Sequence, residues 1–426
     1  MDNPFQFGRE LGAGELVDRQ EEIAEVVGAL RKGEKLFLVG PRRFGKTSIL
    51  KAASDHATRQ GAVVLRYNAE GYPSLDMMVS AIVADAAKSL KGGVDRAGAL
   101  IKRFFSRLRP ELSFDVNEST WKVNLGAAVS EGHAQVTMLI DALGALEKMA
   151  GEISPRRPTG LVLDEFQKVI ELGGEATEGQ LRAAIQQHRH VGYVFAGSKT
   201  RMLTDMTTEA SRPFYRLGSV RFLGPVPRLQ FERFLRTQFS RGGFHIEGGG
   251  SKTSPRDPVA LILNRAEEVP YNVQLLAHAC WEQLTGASSG KAGGRILSEA
   301  AVEDSLDRII RQYDPFYTQL WNQLTSIQQK TLIAVMQEGG VSLLSMKVAR
   351  AVGSGPSTLQ RSLEALLARD ILRQEQSAGS LRYRFDDPFF AAWISAFAAA
   401  AIGRAREPRS GRVSRWVRRR AGAAAG

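Results

Sequence analysis

Residues 40–48 read GPRRFGKTS, and the apolar run KLFLVG (35–40) leads into them. Gly40, Gly45, Lys46 and Thr47 match the pattern G-x-x-x-x-G-K-[ST]. The run before them predicts a buried strand, and KTSILKAASDHATRQ after them has helical spacing that ends at Gly61. Small residues between strand and helix let backbone N–H groups turn inward on phosphate oxygens. Lys46 reaches the terminal phosphates, Thr47 helps to hold Mg²⁺, and the helix beginning at Gly45 adds its N-terminal dipole. The candidate nucleotide contacts are therefore Gly40, Pro41, Arg42, Arg43, Phe44, Gly45, Lys46, Thr47 and Ser48. Arg42 and Arg43 occupy the outer bend, which predicts that they face a lid or a neighbouring subunit, with Phe44 packed beneath. The loop alone leaves three readings open: a working ATPase, a slow nucleotide switch, or a nucleic-acid-binding protein that only carries a P-loop-like sequence.

AVVLRYN (62–68), TGLVLDEFQ (159–167), VGYVFAGSK (191–199) and GSVRFLGPV (218–226) read as further strands. Helical patterns separate them, which predicts a parallel, doubly wound α/β sheet. Within the intervening sequence, residues 74–109 are helical in pattern with a break at Gly92-Gly93, and ELSFDVNESTWKVNLGAAV (111–129) predicts a hairpin. Asp164 ends a buried strand and can order Mg²⁺ through its water shell. Glu165 beside it can polarise an attacking water, because phosphoryl transfer needs chiefly positioning and charge stabilisation. Ser198 is expected near the γ-phosphate or the attacking water, with Lys199 as the alternative. Arg212 and Arg216, in SRPFYR, are the candidates for an arginine that neutralises transition-state charge. The expected catalytic set is Lys46, Asp164, Glu165, Ser198 and Arg216. Thr47 and Asp164 are the metal-site residues, and ATP and Mg²⁺ are the cofactors.

Beyond the sheet, FERFLRTQF, PVALILNRAEE and NVQLLAHACWEQL suggest a helical lid. From Thr325 onward, SIQQKTLIAVMQEG, SLLSMKVARAVG and STLQRSLEALLARDIL predict three short helices, and RQEQSAGSLRYRFDD a hairpin. That order makes a winged helix-turn-helix. The expected organisation is a P-loop domain over 1–228, a helical lid over 229–322, a winged helix over 323–402 and a disordered arginine-rich tail over 403–426.

The chain has 426 residues, 43% of them hydrophobic and 24% charged, as in ordinary globular proteins. Its single cysteine, Cys280, rules out a disulfide framework within this chain and fits a reducing cytoplasm. The start, MDNPFQFGRE, lacks the layout of a signal peptide. The longest apolar run, FFAAWISAFAAAAI, has 14 residues, short of the ~20 that span a bilayer, and reads as a buried helix. Of the net charge of +12, residues 403–426 supply +7 through eight arginines and one acid, so the body is only mildly basic. The candidate partners are ATP and ADP, DNA at the winged helix or the arginine tail, and a protein partner or a nucleotide-dependent oligomer.

Together, GPRRFGKTS, LVLDEFQ, VFAGSKTRML with SRPFYRLG, and YRFDDPFFAAWI resemble the archaeal-type ATPase family, on the STAND side of the AAA+-like P-loop NTPases. The resemblance spans roughly residues 5–400. It implies a sheet of 51432 strand order, a helical lid and a winged helix. It also implies that LVDRQEEI (16–23) packs on adenine through Val17, and that Pro270 of EEVPYNVQLL is the lid's contact to the base. Asp18 stands where relatives often have glycine, and Glu268 replaces the glycine of a G-x-P lid motif.

Overall fold

The computed structural model describes residues 2–89, 103, 110–115, 120–125, 132–153, 157–248, 257–287, 295–377 and 380–402. The expected break at Gly92-Gly93 and the arginine tail lie outside the described residues. The chain divides into two compact units, one over residues 10–224 and one holding the remainder, the first nine residues included.

The first unit is built on five parallel strands: β1 (Lys35–Val39), β2 (Val63–Asn68), β5 (Thr159–Asp164), β6 (Val191–Gly197) and β7 (Ser219–Phe222). Their order is β2-β5-β6-β1-β7. Counted among themselves in chain order, they run 2-3-4-1-5, the expected 51432 order. Every residue of β5 and β6 is buried, and β2 and β7 at the edges are only partly covered. That contrast is what central and edge positions of a doubly wound sheet require. Arg221 on the β7 edge pairs at 3.2 Å with both Glu21 and Glu25 of α1 (Gln20–Lys32). A short hairpin of β3 (Pro110–Asp115) and β4 (Thr120–Leu125) lies between β2 and β5 in sequence, at the place read for one.

Helices connect the strands: α2 (Lys46–Arg59), α3 (Leu75–Ser89), α4 (Gly132–Ile153), α5 (Gln167–Gly173), α6 (Thr177–Ile185) and α7 (Thr200–Thr208). Helix α1 lies so close to the sheet that a Cβ at Gly192 would come within 2.2 Å of the Ala29 carbonyl oxygen. Beneath the strand ends, Phe195 packs against Phe166 at 4.6 Å and Phe37 at 5.0 Å, and Phe214 packs against both Phe166 and Phe37 at 5.7 Å. All four rings are buried. Burial of such rings stabilises by about 1.5–3 kcal/mol each. Phe166 follows Glu165 directly and Phe214 sits within SRPFYR, so this packing also places residues read as functional.

The second unit begins with a feature the sequence did not disclose. Phe5 is fully buried against Phe239 (4.8 Å), Trp281 (5.9 Å) and Phe234 (6.0 Å). Its helices are α8 (Arg228–Arg241), α9 (Pro258–Arg265), α10 (Pro270–Ala287) and α11 (Glu299–Asn322), with a two-residue pair of strands, β8 (His245–Ile246) and β9 (Ile296–Leu297). Then come α12 (Ser326–Gln337), α13 (Met346–Val352), α14 (Pro356–Ala368), the antiparallel hairpin β10 (Leu372–Ser377) and β11 (Ser380–Phe385), and α15 (Pro388–Ile402). A reciprocal capping box between Thr325 and Gln328 starts α12, satisfying two otherwise orphaned N–H groups. In α15, Phe389, Phe390, Trp393 and Ile394 are buried, as expected of that apolar run. Among the described residues, no helix is long and apolar enough to cross a membrane.

Cys280 is fully buried, and desolvation pushes its thiol up to about 12. It behaves as a small hydrophobe rather than a nucleophile. The folded protein is therefore expected to resist a maleimide probe at neutral pH and to react fully after unfolding in guanidinium. Rapid labelling of the native chain would contradict this placement.

Candidate nucleotide site

The register of the parallel strands brings the functional segments to one edge. Val39 pairs with Gly197, and Leu163 with Phe195, so the phosphate loop, Ser198 and Asp164-Glu165 all leave the sheet at its C-terminal side. Ligands of open α/β sheets bind on that side. A Cβ at Gly40 would lie 2.8 Å from Leu223 Cβ, so only glycine lets the chain enter the loop here. Arg43 (φ 67°) and Gly45 (φ 88°) are left-handed, which bends the loop back onto α2. Gly45 caps α2 with no side-chain hydrogen bond, so the first amides of a 14-residue helix meet no capping side chain and suit an anion.

Lys46 is buried, and its ammonium donates to the Gly40 and Pro41 carbonyls, both at 2.8 Å. Thr47 Oγ1 donates to Asp164 Oδ2 at 2.7 Å. Asp164 is 1% exposed. Burial pushes its carboxyl above the usual range, opposed by the Thr47 hydroxyl and the Lys46 charge. This hydroxyl–carboxylate pair offers the hard oxygen donors that Mg²⁺ prefers, and it leaves room in the coordination shell for phosphate and water. Among the described residues no cluster of three or more metal-ligating side chains exists. The fit is thus to a metal that is shared with phosphate, not to a cage made wholly of protein.

Glu165 takes a left-handed backbone (φ 51°), and its N–H bonds Asp164 Oδ1 at 3.0 Å. Burial acts to raise its carboxyl. Hydrogen bonds from Gln167 and Ser198 and the Lys46 charge outweigh that and hold it below the ordinary value. Ser198 donates to Glu165 Oε2 through both N (3.1 Å) and Oγ (2.9 Å). Arg42 Nε approaches Ser198 Oγ at 3.5 Å, and its Nη2 lies 3.9 Å from Glu70. Arg42 is thus placed across the strand ends of its own unit. Phe44 is buried.

Lys199 pairs with Glu171 at 2.5 Å. Arg212 makes a two-pronged contact with buried Glu178, its Nε at 3.1 Å. Arg182 of α6 bonds the Tyr215 carbonyl at 2.9 Å. Arg216 (φ 55°) is exposed, with its guanidinium 5.0 Å over the Tyr215 ring. Arg212 is therefore committed to a buried carboxylate, whereas Arg216 is presented at the surface. Ser48 Oγ accepts from Leu11 N at 3.0 Å, and buried Arg19 donates to the Gly224 carbonyl at 2.8 Å. Half-buried Val17 thus lies on a segment tied at both ends. Pro270 opens α10 in the second unit, after Glu267 and Glu268. The sequence pattern does not single out Gln167 or the Glu10–Arg66 pair, bidentate at 2.9 and 2.8 Å. The only hint of Gln167 was its place two residues after the acid.

The wing of the second unit also differs from a bare cationic surface. Arg384 pairs with Glu267 at 3.0 Å and Glu375 at 2.7 Å, and Arg382 donates to the Gly339 carbonyl at 2.9 Å. On α14, Ser357, Thr358, Gln360 and Arg361 are exposed. Gln360 bonds Glu364 of the same helix at 3.1 Å.

Asp18 (φ 49°) and Glu268 (φ 59°) are both left-handed. These are the two positions at which the family resemblance expects glycine, and the backbone explains why. Asp18→Gly is expected to leave the melting temperature unchanged or raise it. Asp18→Val is expected to cost about 1–3 kcal/mol, since a β-branched residue is an outlier there. Equal stabilities for the two variants would contradict this backbone.

Residues 315–396 match a family model described as a probable winged helix domain. No curated protein sequence matches the chain. Among solved structures, it is similar to the Walker-type ATPase PABY2304 of Pyrococcus abyssi, with a TM-score of 0.59, 15% identity, and coverage of 92% of this chain and 99% of that one. It is also similar to the Aeropyrum pernix ORC2 protein, with a TM-score of 0.49, 14% identity, and coverage of 93% and 98%. At such identities the likeness is one of fold, and the fold of this chain is that of a Walker-type P-loop ATPase followed by a C-terminal winged helix domain.

Proposed function

We propose that the chain binds ATP with Mg²⁺ and hydrolyses it slowly, as a nucleotide-dependent switch of the archaeal-type, STAND-like ATPases in regulation, signalling or defence. The observation that carries this reading is the convergence of Lys46, the Thr47–Asp164 pair and the Ser198-held Glu165 at one sheet edge. Bound Mg²⁺ would supply charge neutralisation on the β- and γ-phosphates, held through Thr47 and Asp164. Lys46, with the first amides of α2, binds and orients the phosphates. Glu165, kept ionised by its donors, orients the attacking water and accepts its proton. Arg216, exposed on the SRPFYR turn, is the candidate for neutralising developing charge, from its own chain or across an oligomer. Val17 and Pro270 are the proposed contacts to the base.

Under single-turnover conditions, Lys46→Ala is expected to lose ATP binding. Glu165→Gln should bind normally but hydrolyse on the order of 100-fold or more slowly. Wild-type binding by Lys46→Ala, or wild-type hydrolysis by Glu165→Gln, would refute the assignment.

A second reading is a DNA-associated ATPase, favoured by the exposed polar face of α14. It predicts DNA binding that weakens steeply with salt and drops on removal of residues 404–426, in gel shifts across a salt series. Absence of binding at low salt would eliminate it.

A further inference from the structure

Gln167 is the first residue of α5 and is 3% exposed. Its Nε2 donates to Glu165 Oε2 at 2.5 Å, the same oxygen that receives Ser198 N and Ser198 Oγ. Three donors from two different segments thus converge on one carboxylate oxygen. The other end of the amide is tightly enclosed. Gln167 Oε1 is buried with no hydrogen-bond partner among the described residues, and a Cβ at Gly197 would stand 2.1 Å from it. A buried, unpaired carbonyl is unfavourable by itself. A methionine of similar length would fill the space without that penalty. What Gln167 adds over an apolar side chain is its N–H, aimed at Glu165.

We propose that Gln167 is a positioning residue: with Ser198 it pins Glu165 Oε2, so that Oε1 is the oxygen presented to the attacking water. A carboxylate with free rotation about its last bond presents either oxygen in either direction, and placement errors of about 1 Å cost on the order of 100-fold in rate. The clamp removes that freedom. Gln167 touches neither phosphate nor water in this scheme and acts only through Glu165. The proposal rests on the hydrolytic reading above and adds to it a residue outside the loop–acid–serine set.

The test is a double-mutant cycle on the full-length chain, using single-turnover ATP hydrolysis, ATP affinity by calorimetry and thermal melting. Gln167→Met keeps length and removes the donor. Gln167→Asn keeps the amide but shortens its reach, and serves if the methionine variant does not fold. Either variant is expected to slow hydrolysis by about 10- to 100-fold with unchanged ATP affinity. Introduced into Glu165→Gln, it should cause no further loss, because its route of action is already gone. The proposal is overturned if Gln167→Met hydrolyses at the wild-type rate while Glu165→Gln is impaired. It is also overturned if its loss is undiminished in the Glu165→Gln background, or tracks a fall in ATP affinity. These outcomes leave the hydrolytic reading standing. Wild-type chain that binds ATP without hydrolysing it, or a fully active Glu165→Gln, overturns both.

Discussion

One hydrogen bond spans the sheet where the proposed chemistry lies: Thr47 Oγ1 to Asp164 Oδ2, at 2.7 Å. It joins the helix that follows β1 to the end of β5, although β6 lies between those strands. The bond is available only because parallel register brings three strand ends level and because Gly40 lets the loop turn tightly against Leu223. Around it the charges are balanced. Buried Asp164 is pushed up by desolvation, Glu165 is held down by its donors, and the Lys46 ammonium favours the ionised form of both. Buried charges are tolerated when paired and hydrogen-bonded.

Much of this was legible in the sequence, for physical reasons. Strands β5 and β6 are buried at every position, so they read as apolar runs that begin at Thr159 and Val191 as expected, while the polar residues that follow leave the sheet sooner, after Asp164 and Gly197. The phosphate loop declares itself because glycine, lysine and threonine are needed at fixed offsets. Features that depend on distant partners were not legible. Phe5 looks like any N-terminal aromatic until Phe239 and Trp281 close around it. Arg384 reads as a wing cation, yet its carboxylate partner Glu267 lies 117 positions away. Arg212 and Arg216 share one short segment, and the buried Glu178 that ties down Arg212 lies 34 positions away from it. Arg42 reads only as a loop cation, and its neighbours Ser198 and Glu70 lie 156 and 28 positions away.

The second unit has its own internal coupling. Glu267 and Glu268 form a left-handed turn just before Pro270. Glu268 is held by Arg228 at 2.7 Å, and Glu267 by Arg384 on the wing. Asp387, at the start of α15, accepts from Asn272 of α10 at 3.0 Å and from Tyr317 of α11 at 2.9 Å. The turn that carries Pro270 and the winged helix are therefore joined by charged and hydrogen-bonded contacts from two directions. Wing arginines used in this way contribute to the unit's cohesion first.

In the proposed site the three strand ends let Lys46 bind phosphate and turn Glu165 towards the attacking water. A crystal structure of the full chain with Mg²⁺ and a non-hydrolysable ATP analogue would decide whether that site exists. Lys46 Nζ is expected on the β- and γ-phosphate oxygens, the metal beside Thr47 and Asp164, and a water between Glu165 Oε1 and the γ-phosphate. A nucleotide seated elsewhere, or a γ-phosphate out of reach of any water held by Glu165, would contradict it.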